Sequence, residues 1–79
     1  MAKFTNNVDT GSLHVQTQEL PEQFQQHGLK PQGLAIQLVG EAKPRPVTYI
    51  MGSKTKGFNL CCKGSGKFPT DGEYELLVD

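Results

Sequence analysis

Seventy-nine residues allow a single small domain, 1–79, and a chain of that length buries only about 60% of the surface its unfolded state exposes, so its core is thin. Hydrophobic residues make up 35% and charged residues 20%, with Gln, Thr, Gly and Ser filling the difference, a balance that argues against wholesale disorder. Lys plus Arg and Asp plus Glu number eight each, so the formal net charge is zero and any electrostatic steering must come from how the charges are distributed.

Residues 1–11 are polar, carry Asn6, Asn7 and Gly11, and follow neither the helical nor the strand period, so they are expected to be mobile. They hold no apolar run after Lys3, so no targeting leader is expected. Leu13, Val15 and Thr17 then alternate with His14 and Gln16, as in a half-buried strand. Pro21–His27 is the one helical candidate. Pro21 suits a first helical position, and Gly28 can take the left-handed conformation after the last turn, setting Leu29 against Phe24. Two turns are not stable alone, so Phe24 and Leu29 must dock on the sheet.

Lys30-Pro31-Gln32-Gly33 reads as a turn. Leu34–Val39 is apolar on both faces and predicts the central strand. At six residues, with Gln37 inside, this longest apolar run falls far short of the roughly 20 that a membrane helix needs. Gly40–Pro46 contains Pro44 and Pro46, which donate no ladder hydrogen bonds, and predicts an extended connection or edge. Val47–Met51 and Phe58–Cys62 flank Gly-Ser-Lys-Thr-Lys-Gly, a hairpin with a basic tip. Alternation places Val47, Tyr49 and Met51 on one face of the first strand, and Phe58, Leu60 and Cys62 on one face of the second. After a polar loop, Glu73–Val78 points Tyr74, Leu76 and Val78 inward and Glu73 and Glu75 outward.

Five short strands and one small helix predict a mainly β (or α+β) fold, a five-stranded antiparallel sheet curled into a partly open barrel. That architecture resembles small barrels that bind single strands, an analogy of fold alone.

The adjacent Cys61 and Cys62 would point to opposite faces of a strand, so no structural disulfide is expected and the chain reads as a soluble, cytoplasmic protein. Small scaffolds often gain burial by association, and pairing of two copies through an edge strand is the expected route to a homodimer.

The stretch from Lys43 to Phe68 carries Lys43, Arg45, Lys54, Lys56, Lys63 and Lys67 and no acid. Those cations are interleaved with Tyr49, Phe58 and Phe68. Binding of a nucleic-acid strand needs both ingredients: cations that track phosphates and rings on which bases stack. If Tyr49 and Phe58 belong to the core, Phe68 is the remaining platform.

Other chemistries lack parts. Gly64-Ser65-Gly66-Lys67 resembles the end of a phosphate-binding loop, but Cys61 stands where its first glycine belongs and Phe68 where its Ser or Thr belongs. Gly52-Ser53-Lys54-Thr55 fails likewise. Cys61, Cys62, His14 and His27 are numerically enough for zinc, yet adjacent strand cysteines face apart, and no metal or cofactor is expected. Against a Cys–His nucleophile, one or both of Cys61 and Cys62 are expected to be small core residues, and Glu73 and Glu75 read as a solvated outer face, since acid–base work needs a pocket for which a core this small has little room.

The expected function is therefore a small non-enzymatic binding module. Its basic loops, Lys43, Arg45, Lys54, Lys56, Lys63 and Lys67 with Phe68, take single-stranded nucleic acid. The alternative is a protein–protein interaction module, such as a small phage- or plasmid-type accessory or inhibitor protein, docking through a strand edge or the Phe24 helix. Net neutrality favours that second reading. The acidic end, Asp71–Asp79, either offsets the basic loops, discourages edge pairing or meets a basic partner.

Overall fold

A computed structural model describes residues 2–62 and 66–79 of the chain. Six strands form: β1 (Ala2–Thr5), β2 (Ser12–Val15), β3 (Leu34–Leu38), β4 (Arg45–Ser53), β5 (Gly57–Cys62) and β6 (Asp71–Val78). Every neighbouring pair is antiparallel, and the spatial order is β1-β6-β3-β4-β5-β2. The two end strands approach each other, so the sheet is nearly closed into a barrel. Thr10 and Phe68 exchange backbone hydrogen bonds at 3.3 and 2.6 Å and tie the entry of β2 to the entry of β6.

The expected architecture holds with two corrections. The extra strand is β1, where a patternless segment was expected. Its only deeply buried side chain is Phe4, so there was no apolar alternation to read. Phe4 lies opposite Gly72, whose missing Cβ leaves room for the ring, and its ring meets Tyr74 edge-on at 6.0 Å between centroids.

The second correction concerns the helix. Pro21–His27 does not form one; the chain makes two single 3-10 turns, Thr17–Glu19 and Glu22–Phe24. The Gln25 side-chain amide donates to the Thr17 and Leu20 carbonyls at 2.7 and 2.6 Å, which satisfies groups that a longer helix would otherwise have to cover. Phe24 is buried and Leu29 packs against the core, so the docking required of this segment is present. Gly28, at φ +80°, passes the chain to β4, where its N–H donates to the Ile50 carbonyl and Ile50 N–H donates to Leu29.

β4 is the corner of the barrel. Arg45 and Pro46 pair with β3, whereas Val47 onward pairs with β5. The register slips between Val47 and Tyr49, leaving Thr48 as a bulge whose hydroxyl donates to the Cys61 carbonyl at 3.2 Å. A bulge inverts the alternation beyond it. Val47 and Ile50 are therefore the buried residues of β4, and Tyr49 and Met51 face outward, contrary to simple alternation. The other strands follow their periods: Leu13 and Val15, Leu34, Ile36 and Leu38, Phe58 and Leu60, and Tyr74 fill the interior. Among the described residues no helix is long and apolar enough to cross a membrane.

Candidate nucleic-acid interface

The basic residues do not form one surface. Lys54 and Lys56 occupy the three-residue turn between Ser53 and Gly57 and are exposed at the tip of the β4–β5 hairpin. Lys43 and Lys67 are exposed at the other end, in the connection before β4 and the segment before β6. The strand between the two groups, from Ser53 back to Val47, spans about 20 Å at 3.3 Å per residue. Lys63 lies outside the described residues.

Two residues expected in the site are withdrawn from it. Phe68 is fully buried, so it offers no face to a base. Its backbone pairing with Thr10 pulls it inward, a contact between residues far apart in the chain. Arg45 is committed as well. Its Nε and Nη2 donate to the two carboxylate oxygens of Glu41 at 3.0 and 2.6 Å, and its guanidinium lies over the Phe68 ring, 4.6 Å from the centroid. Hydrogen bonding from Arg45 holds the Glu41 carboxyl below its ordinary pKa, and the same bond raises that of Arg45. Among the described residues this is the one ion pair, so Lys43, Lys54, Lys56 and Lys67 are not matched by carboxylates within it.

The bulge supplies what alternation missed. Tyr49 and Met51 join the outer face of β4, β5 and β2 in two cross-strand rows, Tyr49–Cys61–Ser12 and Met51–Asn59–His14. Tyr49 is half-buried, its hydroxyl close above Gly28, and Met51 is 44% exposed. His14 Nδ1 donates to Asn59 Oδ1 at 3.1 Å, and Gly52 N–H donates to His27 Nδ1 at 3.2 Å beside the lysine tip. A signal for this face did exist in the sequence: no period-2 register buries both Val47 and Ile50, the two most apolar residues of β4.

The acids of the last strand stand elsewhere. Glu73 and Glu75 lie on the outer face of β6, and in a ring of six strands β6 and β5 are three places apart, on opposite walls. The acidic end therefore does not cover the hairpin tip. Cys62 points inward, and burial pushes its thiol pKa up to about 11, whereas Cys61 lies on the outer face between Tyr49 and Ser12. Neither chemistry nor geometry joins the two cysteines.

Comparison of the chain with protein-family models, with curated protein sequences and with solved structures returns no match.

Proposed function

We propose that this chain is a non-enzymatic binding module that holds a single nucleic-acid strand across the outer face of β4, β5 and β2. The observation that carries this reading is the bulge at Thr48, which turns Tyr49 outward onto the face whose tip bears Lys54 and Lys56. Tyr49 offers a ring to one unpaired base, a contact of roughly 1 to 3 kcal/mol, and the lysines meet flanking phosphates. Asn59 and His14 present polar groups to base edges, and the acids of β6 are on the far wall. A duplex, whose bases are already stacked, gains nothing from Tyr49.

The site is smaller than six cations, and its affinity follows. Two neutralised phosphates give a slope of log affinity against log salt of about −1.4 for a single strand. Between about 50 and about 200 mM salt the affinity falls roughly sevenfold. Anisotropy titration of labelled single-stranded and double-stranded DNA and RNA tests this, with Lys54→Glu plus Lys56→Glu and Tyr49→Leu as variants. Loss of single-strand binding in both supports the reading. Binding indifferent to salt and to both variants removes it.

A protein-binding role is favoured by a different observation, the uncovered half of β6, and that surface does not overlap this one.

A further inference from the structure

β1 covers only the first half of β6. Its pairs run from Thr5 opposite Asp71 to Ala2 opposite Tyr74, and among the described residues no strand lies beside Leu76–Val78 on that flank. The backbone groups exposed there can be read from the ladder. Asp79 N–H donates to Gly33 and Val39 N–H to Glu73, so the odd-numbered residues of β6 bond with β3. In an antiparallel ladder the alternate residues face the other way. Leu76 and Val78 therefore direct an N–H and a C=O each toward the open flank, an edge able to template another strand.

Beside that edge is a cleft of about 300 Å³ lined by Ala2, Glu19, Tyr74, Glu75 and Leu76. Ala2, Tyr74 and Leu76 line it together with two charged residues, both carboxylates. Glu19 is held in place through Oε2, which accepts from the Tyr74 hydroxyl at 2.5 Å and from Gln16 N–H at 3.2 Å. Oε1 has no partner among the described residues.

From this geometry we infer that the open half of β6 binds a short extended peptide of a partner protein, antiparallel to β6 and carrying an arginine or lysine. The peptide continues the line of β1 and exchanges backbone hydrogen bonds with Leu76 and Val78. The residue opposite Leu76 points into the cleft, where an aliphatic stem lies over Leu76 and Ala2 while its cationic head reaches Glu19.

Charge decides against a second copy as occupant. Two β6 edges pairing through Leu76 and Val78 would set Glu75 of each directly opposite Asp79 of the other, and like charges so placed repel. The open edge is on β6, three places from β5 around the sheet, and the inference does not rest on the nucleic-acid reading.

The test is a titration of the isotope-labelled protein, followed by amide NMR, with a hexapeptide alternating arginine and valine and a control peptide with glutamate for arginine. The expected result is a change confined to Glu75–Val78, Ala2 and Glu19, with slowed hydrogen exchange at the Leu76 and Val78 amides. Glu19→Gln weakens binding about threefold, the size of an exposed ion pair. Val78→Pro removes one outward N–H at an edge position that tolerates proline, and abolishes the slowed exchange. The inference is overturned if those amides do not respond at millimolar peptide, or if the acidic peptide binds equally well. It is also overturned if they shift with protein concentration alone, which would make a second copy the occupant.

Discussion

The Arg45 guanidinium stacks on Phe68, 4.6 Å from the ring centroid, while its Nε and Nη2 donate to the Glu41 carboxylate. Two residues that looked like parts of a binding surface thus form a clamp between the entry of β4 and the entry of β6. Phe68 is buried beneath, and the Arg45 side chain is only 12% exposed.

Removing the buried ring therefore damages the fold. Phe68→Ala is expected to cost about 3 to 5 kcal/mol, against about 1 kcal/mol for Arg45→Ala, which loses one stacking and one ion-pair contact. Urea denaturation measures both. A Phe68→Ala protein of undiminished stability would show that the ring is not a core residue. The pH dependence has a definite sign. The folded Glu41 pKa is depressed, so its contribution is present above the ordinary glutamate value of about 4.3 and is lost as pH falls through the lower folded value. Glu41→Gln should remove that part of the acid sensitivity.

Tyr49 makes the opposite case. Because it lies on the outer face, Tyr49→Leu is expected to change stability by no more than about 0.5 kcal/mol while weakening single-strand binding by about 1 to 3 kcal/mol. Phe58→Leu, at a fully buried position one strand away, should do the reverse. Thermal melts beside anisotropy titrations separate the two. Equal destabilisation by both substitutions would place Tyr49 in the core.

Above pH 9 the protein should lose stability through two inward groups. Burial raises the Cys62 thiol to about 11, and burial together with the Glu19 carboxylate raises the Tyr74 phenol beyond its usual range. Both groups ionise more easily unfolded, at about 8.5 and about 10. Their contribution is complete below the unfolded values and declines as pH rises through the folded ones. For Cys62 that window runs from about 8.5 to the raised folded value. Cys62→Ala should flatten the first part of the decline and Tyr74→Phe the later part, read from denaturation midpoints across that range. In the native protein an alkylating reagent should modify Cys61 ahead of Cys62.

The hairpin tip is flanked by two glycines, Gly52 and Gly57, whose backbone sets the residue. Gly52 adopts φ +116°, and a Cβ there would run into the Gly57 carbonyl oxygen and crowd Phe58 Cα at 2.9 Å. Gly52→Ala is expected to cost about 1 to 3 kcal/mol through strain and the forced separation of β4 from β5. Loss of Lys54-dependent and Lys56-dependent binding should accompany it. A substituted hairpin with unchanged melting and binding would refute the close approach.

The class of fold and most of the strands were legible along the chain. Local alternation at Leu13 and Val15, at Leu34, Ile36 and Leu38, and at Tyr74 and Leu76 is a property of neighbours in the chain, as is the turn chemistry around Lys54 and Lys56. Tertiary structure decided the rest. β1 exists because Phe4 finds the space over Gly72, and the face that Tyr49 presents depends on a bulge that lets Val47 and Ile50 both reach the interior. Phe68 is drawn inward by Thr10, fifty-eight positions earlier, and Arg45 is neutralised by the fold of the loop that carries Glu41. Strand order alone puts the acids of β6 on the wall opposite β5, and among the described residues Leu76–Val78 have no partner strand on one flank. Each of these is set by contact between distant segments, and a pattern read along the chain records only the preferences of adjacent residues.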